Sequence, residues 1–314
     1  MITMHRLLVP LLAVAALGCA GAGAGPARRK APLGEVTART SEPWAELRHE
    51  GQYRVQNNLW NTTGTAGRQE VFLETLDGAP AFGWSWAWRP TPAGKVVASP
   101  EVIYGTKPWD GSSGAPGPAT PFPLHPGAAA ITVELDATIA ARGVYDTAFT
   151  LWCVSALPAG RPSLSHEIMI WLVRSGLQPA GARRGTHEVD GHRFELWVKP
   201  GHGDSTNPER WTYVAFSPKD DLTTPANGAR RLRGPFHLEA FLDVLVREGV
   251  LPASAYVTSV ELQNEVAESS GTTEVRRFSV QVTPRGQAGD HDSRTERGVG
   301  DPAKQEEGRS PRAT

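Results

Sequence analysis

Two glutamates draw attention because each lies in an extended segment whose alternating pattern gives it a defined face. The run HEIMIWL at 166–172 predicts a strand with Glu167, Met169 and Trp171 on one face and three aliphatic side chains on the other. An unpaired buried charge is costly, so Glu167 must either pair with another group or line a cleft. Met169 and Trp171 would give such a cleft an apolar, aromatic floor on which a sugar ring can stack.

The second glutamate, Glu265, lies in the run VTSVELQNEV at 257–266. Alternation places Glu261, Gln263 and Glu265 on one polar face of this strand. Two carboxyls that face one groove can divide labour, one ionised as a nucleophile and the other protonated as a general acid. Glu261, Glu268 and Glu274 are competitors for the second role, and simple solvation of exposed strand glutamates is the alternative to any catalytic role.

The ten tryptophans are an unusual load for a chain of 314 residues. Trp84, Trp86 and Trp88 fall on one face of the extended run GWSWAW at 83–88. Sugar stacking and core packing both fit that face, and Trp86 is a candidate substrate contact.

The remaining pattern indicates many short strands and one helix. Glycine (33) and proline (26) are abundant, and alternating runs recur at 131–135, 147–153, 193–198, 211–216, 256–266 and 275–282. The stripe Leu238, Phe241, Leu242 and Leu245 predicts a helix over Phe236–Glu248, with Pro235 in its first turn and Gly249 at its end. Two packed antiparallel sheets, an all-β fold, follow from this count of elements.

Charge and cysteine content exclude several function classes. Lysine and arginine total 32 against 33 acidic residues, so the net charge of −1 gives no electrostatic case for binding nucleic acid. Cys19 and Cys153 cannot form a disulfide framework. His187, His192 and His202 lack metal-ligand spacing and are interpreted as surface residues. We therefore predict neither a cofactor nor a metal ion.

The two ends of the chain are not predicted to belong to the fold. Residues 1–25 contain an apolar run at 7–17 that is too short to span a bilayer and is typical of a secretory signal. Cys19 follows Ala-Leu-Gly as in a relaxed lipobox, although ordinary signal-peptide cleavage fits as well. Residues 26–45 are predicted to be a flexible tether, 46–284 the folded domain and 285–314 a disordered polar tail. We expect a monomer that is secreted or lipid-anchored at a bacterial cell envelope, with Cys19 as its sole membrane attachment.

Four motifs in order, NNLW at 57–60, WAW at 86–88, EIMIWL at 167–172 and the strand of Glu265, resemble glycoside hydrolase family 12. This family contains compact endoglucanases and xyloglucan hydrolases, and the resemblance spans nearly the whole predicted domain. It implies a β-jelly roll whose concave sheet forms an open cleft, and retaining hydrolysis of β-1,4-glucans. By the same resemblance Glu167 is the nucleophile, Glu265 is the acid/base, and Asn58 and Trp60 contact the glycone side of the substrate.

The sequence also departs from the family at informative positions. Thr150 stands where many members have an aspartate that hydrogen-bonds the nucleophile, and Gln263 stands where glycine is common. Cys153 is expected to be a small buried hydrophobe, since the disulfide of some members has no counterpart here. A non-catalytic β-glucan-binding jelly roll that kept the groove and lost turnover is therefore the alternative to an enzyme, and a purely structural lipoprotein is a third class.

Overall fold

The structure is a computed structural model that describes residues 35–49, 52–89, 95–110, 119–203 and 208–286. The predicted leader, Cys19, the first part of the predicted tether and residues 287–314 of the predicted tail lie outside the described residues. No helix within the described ranges is long and apolar enough to cross a lipid bilayer.

Strands dominate the described residues, with one α-helix, α1 (Leu238–Arg247), and a short 3-10 helix at Arg161–Ser163. In chain order the strands are β1 (Glu35–Thr40), β2 (Glu46–His49), β3 (Tyr53–Gln56), β4 (Gly67–Leu76), β5 (Ala79–Trp88), β6 (Glu101–Gly105), β7 (Ala129–Val154), β8 (Leu164–Ser175), β9 (Ala182–Val189), β10 (His192–His202), β11 (Trp211–Pro218), β12 (Thr224–Ala226), β13 (Ala229–His237), β14 (Tyr256–Val257), β15 (Ser259–Gln263) and β16 (Val266–Pro284).

The strands form two layers that share the long strand β7. The first half of β7 pairs with β13 and β16, and continues into an outer layer through β5, β4 and β1. Its second half pairs with β15 and β8, and continues into an inner layer ordered β2-β3-β6-β15-β7-β8-β11-β10-β9. All of these pairings are antiparallel except that between β8 and β11. The predicted all-β, two-sheet jelly roll with one helix is confirmed.

The main core lies between the two layers, and strand alternation fills it. In β8, Ile168, Ile170 and Leu172 belong to this core, whereas Met169 and Trp171 belong to a separate cluster on the opposite face. The two faces predicted for this strand are therefore confirmed. Burial of the core side chains supplies the main stabilising term of the fold.

Helix α1 is confirmed, with one correction at its start. The predicted stripe Leu238, Phe241, Leu242 and Leu245 is buried, and Gly249 ends the helix region with a φ of 67° that favours glycine. Pro235, expected in the first turn, instead lies in β13 opposite Glu134 of β7. The apolar period alone does not distinguish the last residues of a strand from the first turn of the helix that follows it.

The predicted tether is wrong over its second half, because β1 (Glu35–Thr40) pairs with β4 at the edge of the outer layer. Alternate side chains of β1 are half-buried, and its main-chain groups bond to β4 without needing an apolar run. The folded unit therefore extends back to Glu35.

Candidate active site

A cavity of about 410 Å³ lies on the exposed face of the inner layer. Its floor comes from β15, β7, β8 and β11, and its polar lining includes both predicted catalytic glutamates, Glu167 and Glu265. Aromatic side chains form much of the rest of the lining: Trp44, Trp60, Trp109, Trp152, Trp211, Tyr213 and His202. Flat rings beside carboxyl groups suit a carbohydrate, because rings stack on sugar faces while carboxyls act on the linkage.

Glu167 lies at the centre of the inner layer, opposite Trp152 of β7 and beside Tyr213 of β11. It is partly exposed to the cavity. The indole Nε1–H of Trp211 donates a hydrogen bond to Glu167 Oε2 over 2.8 Å. A donor to a carboxylate favours the ionised form, which is the form that a nucleophile requires.

Glu265 follows the end of β15, and its neighbour Asn264 fixes the chain at that point. The Asn264 side chain is fully buried and donates to the carbonyl of Asp146 (2.5 Å) and to Thr147 Oγ1 (2.7 Å). It also accepts the indole N–H of Trp84 over 2.6 Å. This anchoring turns the adjacent Glu265 towards the cavity, where it is partly exposed.

The carboxyl of Glu265 differs from that of Glu167 in its surroundings. Loss of solvent contact raises the pKa of Glu265 well above its ordinary value, and the carboxyl of Asp146 raises this pKa further. A carboxyl with a raised pKa holds its proton to higher pH than an ordinary glutamate and can act as a general acid. The cavity thus holds one carboxyl with a donor that favours its charge and one whose surroundings favour its proton.

Glu261, the first competitor for the acid role, belongs to a buried network of charges at the side of the cavity. Lys107 Nζ lies 2.7 Å from Glu101 Oε1 and 3.4 Å from Glu261 Oε2. Burial raises the pKa of Glu261 well above its ordinary value, an effect that Lys107 partly offsets and the carboxyl of Glu101 increases. Ser259 also donates to Glu261 over 3.1 Å, so this carboxyl is committed to the network.

The other two competitors lie on β16, away from the cavity lining. Glu268 is exposed, and Glu274 is buried where β16 pairs with β5 and β7 in the outer layer. Glu265 therefore differs from all three competitors. It lines the cavity, unlike Glu268 and Glu274, and it is not ion-paired with Lys107, unlike Glu261.

Two of the five predicted substrate contacts, Asn58 and Trp60, line the cavity, and the other three do not. Asn58 and Trp60 line the cavity; Asn58 Nδ2 donates to Glu101 Oε1 over 2.9 Å, and Trp60 Nε1 donates to Ser99 Oγ over 3.3 Å. Trp60 remains partly exposed, so its ring is available for stacking.

Met169 and Trp171 do not form the floor predicted for them. Both are buried, in a cluster that includes Tyr213. Tyr213 belongs to this cluster and to the cavity lining, so the floor beside Glu167 is the tyrosine ring rather than the two predicted side chains. Alternation identified the correct face of β8 but not the side chain that β11 places over it.

Trp86 is also corrected: it is buried in the main core, where its Nε1 donates to Ser269 Oγ over 2.9 Å and its ring packs near Tyr145. Trp84 and Trp88 belong to the same core. The shared face of these three indoles is the core face, so the core-packing alternative is the one that the structure supports.

Most of the aromatic lining was not predicted from the sequence. Trp152 packs edge-on against Trp109 and Trp211, with ring centroids 4.8 and 5.8 Å apart. His202, interpreted as a surface residue, instead lines the cavity edge-on to Trp211, with centroids 5.4 Å apart. Trp211 and Tyr213 are two residues apart in a predicted strand, so the sequence indicates that they share a face. It does not indicate that this face lines the cavity, because that depends on the parallel pairing of β11 with β8.

The two departures from the family pattern contact each other. Gln263 Nε2 donates to Thr150 Oγ1 over 2.8 Å, and both side chains are buried. Gln263 also contributes to the cavity lining, so the larger side chain at this position is held against the sheet by the threonine. Cys153 is buried and free, and burial raises the pKa of its thiol to about 12, which makes it unreactive.

A pair of carboxyls in an aromatic cleft is the arrangement with which most glycoside hydrolases cleave a glycosidic bond. Comparison with known protein families matches residues 51–283 to Glycosyl hydrolase family 12. This match covers more than half of the chain, and the protein belongs to that family.

Solved structures show the same fold. A family 12 xyloglucanase from Bacillus licheniformis superposes with a TM-score of 0.66 at 22% identity, over 78% of this chain and 100% of that chain. An endoglucanase from Rhodothermus marinus gives 0.59 at 23% identity, over 79% and 100%. A metagenome-derived family 12 endoglucanase gives 0.60 at 25% identity, over 80% and 100%.

Proposed function

We propose that the protein is a retaining endo-β-1,4-glucanase that hydrolyses internal linkages of cellulose, mixed-linkage β-glucan or xyloglucan. The observation that carries this proposal is the unequal pair of carboxyls, Glu167 and Glu265, that lines one cavity. Structural neighbours described as endoglucanases and xyloglucanases support the substrate class.

In the proposed reaction Glu167 attacks the anomeric carbon while Glu265 donates its proton to the departing glycosidic oxygen. The bond between carbon and that oxygen breaks as the glycosyl–Glu167 ester forms. Glu265, now a carboxylate, then takes a proton from water as the water attacks the same carbon and releases Glu167. Net retention requires the two carboxyls to lie roughly 5–5.5 Å apart, because inversion needs room for a water molecule between carboxyl and sugar.

Substrate would lie across the inner layer, with Asn58 and Trp60 contacting the glycone side. The rings of Trp109, Trp152 and Trp211 line the cavity as well. Side-chain stacking on successive sugar rings fits a polymeric substrate better than a short one, since each further ring adds buried apolar surface.

The experiment that tests this function is a reducing-sugar assay on carboxymethyl cellulose, barley β-glucan and tamarind xyloglucan. We expect product from at least one polymer and loss of activity to background for Glu167→Gln. Glu265→Gln should lose about 10²–10⁴-fold, the usual contribution of general acid–base catalysis. Glu268→Gln, which changes an exposed carboxyl of β16, is the matched control and should retain full activity.

A second candidate function is a non-catalytic β-glucan-binding protein, and the buried Gln263–Thr150 contact favours it because a threonine replaces the charged partner expected for the nucleophile. Binding to all three polymers without release of reducing sugar would establish this alternative and contradict the enzyme proposal. If the protein neither binds nor hydrolyses any of the three polymers, the remaining alternative is a purely structural lipoprotein.

We also propose that the protein is a monomer that is exported to a bacterial cell envelope. The proposal of export rests on the apolar segment at 7–17 and on the residues that precede Cys19. If Cys19 is acylated, mass spectrometry of the mature N-terminal peptide will give the mass of a lipid-modified cysteine, and Cys19→Ala will release the protein from membranes. An unmodified peptide that begins elsewhere would support ordinary signal cleavage.

A further inference from the structure

Two amide side chains of the cavity lining, Gln56 at the end of β3 and Asn58 two residues later, share one arrangement. Each is more than nine-tenths buried, and each donates an amide hydrogen to a carboxylate. Gln56 Nε2 lies 3.0 Å from Glu46 Oε1, and Asn58 Nδ2 lies 2.9 Å from Glu101 Oε1. The family resemblance assigns a substrate contact to Asn58 and none to Gln56.

The carboxylate of Glu46 decides which end of the Gln56 amide faces it. Arg48 Nη2 lies 2.8 Å from Glu46 Oε2, and Arg54 Nε lies 3.4 Å from Glu46 Oε1. Arg54 is buried and also pairs with Asp110, which fixes its position. A carboxylate held by two guanidinium groups accepts hydrogen bonds and donates none, so the NH₂ end of the Gln56 amide must face Glu46.

This orientation leaves the amide oxygen as the unused end of the Gln56 side chain. Oε1 is buried, and no donor among the described residues bonds to it. Asn58 Oδ1 is likewise buried, with no donor in the described part of the chain. A buried acceptor without a donor is costly, and a ligand that brings a hydroxyl group into the cavity would remove that cost.

The surroundings of the two oxygens favour a neutral ligand that carries hydroxyl groups. Trp44 and Trp60 line the same cavity and keep their rings at least partly exposed. Such a ring takes the apolar face of a sugar, whereas an amide oxygen accepts from a hydroxyl at the edge of the sugar. The carboxylates that hold the two amides are each paired with a cation, Arg54 and Lys107. A neutral donor therefore fits this wall better than a cation.

We propose that Gln56 is a substrate-binding residue on the glycone side of the cleft, where its Oε1 accepts a hydrogen bond from a hydroxyl group of the glucan. Glu46 is a positioning residue that acts through Gln56, because it holds the NH₂ end of the amide and leaves the oxygen for the sugar. This inference rests on the proposed function, which supplies the glucan as ligand, and it adds a residue that selects for a hydroxyl donor.

The first test is the binding of cellotetraose, measured by isothermal titration calorimetry in Glu167→Gln so that the ligand is not hydrolysed. Gln56→Met in this background keeps the length of the side chain and removes the amide. The Kd should rise about 3–10-fold, the range expected for one neutral hydrogen bond. Gln281→Met makes the same change at an exposed position of β16 and is the matched control, with an unchanged Kd.

Glu46→Gln tests the positioning role. The new amide can donate as well as accept, so it no longer holds the Gln56 amide in one orientation, and the Kd should rise about 2–5-fold. Added to Gln56→Met, the same change should have no further effect, because it acts only through Gln56. Losses that add in the double variant would overturn the positioning role of Glu46.

A crystal structure of Glu167→Gln with cellotetraose provides a measurement that needs no change at Gln56. We expect a sugar hydroxyl oxygen about 2.5–3.0 Å from Gln56 Oε1. An unchanged Kd in a folded Gln56→Met, or a bound sugar with every hydroxyl beyond about 3.5 Å from Oε1, would overturn the inference and leave the proposed function standing. If the unmodified protein binds neither cellotetraose nor a xyloglucan oligosaccharide, the proposed function and the inference are both contradicted.

Discussion

The surroundings of the two catalytic candidates differ in kind. Glu167 receives an indole N–H from Trp211, a neutral donor that stabilises charge without supplying one. Glu265 faces the buried carboxyl of Asp146, which opposes charge. Both glutamates line one cavity, so the nearest partner of each carboxyl, and not its place on the sheet, distinguishes their surroundings.

A second comparison, between Glu261 and Glu265, sharpens the same point. The two residues are four positions apart at the end of β15, and burial raises the pKa of each well above its ordinary value. Glu261 has Lys107 beside it and belongs to a structural network, whereas Glu265 has a carboxyl partner and an open side towards the cavity. The identity of the partner separates a structural glutamate from a candidate acid.

The largest expected effect is a chemical rescue that distinguishes Glu167 from Glu265. With an activated aryl cellotrioside and azide, Glu265→Ala should regain turnover and release the β-glycosyl azide, since the Glu167 ester still forms and azide needs no base. Glu167→Ala should give the α-glycosyl azide, because azide then replaces the nucleophile. The products are assigned by ¹H NMR, and the same anomer from both variants would show that the roles are not divided.

A smaller effect is expected from Trp211→Phe, which keeps a ring but removes the N–H that donates to Glu167. A hydrogen bond to a charged group contributes about 1.5–3 kcal/mol, so kcat/KM should fall about 10–100-fold. Trp197→Phe is the control, because Trp197 Nε1 has no hydrogen-bond partner among the described residues. Equal losses in both variants would attribute the effect to packing.

The smallest effect is expected at the Gln263–Thr150 contact. Thr150→Val leaves the buried Gln263 amide without its acceptor, which should lower the free energy of unfolding by about 1–3 kcal/mol in urea titrations. Thr138→Val makes the same change of atoms in the half of β7 that belongs to the outer layer, and it should lower the free energy of unfolding by less. A stability loss at Thr138 that equals the loss at Thr150 would attribute the effect to the Thr→Val change itself and not to the hydrogen bond with Gln263.

The sequence predicted the fold and the strand faces of the candidate residues because strand alternation is a local property. The face of Glu167 on β8 follows from a two-residue spacing and the helix stripe that begins at Leu238 from three- and four-residue spacings, and both are confirmed. Met169 and Trp171 were assigned to the correct side of β8, but their burial depends on Tyr213 from another strand.

The parts of the site that the sequence could not predict all depend on contacts between distant residues. The hydrogen bond from Trp211 to Glu167 spans 44 positions and follows from a parallel pairing. The contact between Asp146 and Glu265 spans 119 positions. Neither residue of such a pair carries a local signal of its partner. The edge strand β1 was not predicted for a different reason, which is that its sequence has little apolar pattern.

Trapping the glycosyl–enzyme intermediate is the decisive test of Glu167 as the nucleophile. Incubation with a 2-deoxy-2-fluoro cellotrioside that bears a good leaving group slows release of the intermediate, and intact-mass spectrometry with peptide mapping locates the attached sugar. We predict one fluoroglycosyl group on the carboxyl of Glu167 and none on Glu167→Gln. Attachment to Glu265 or another residue, or turnover that proceeds with inversion and leaves no adduct, would contradict it.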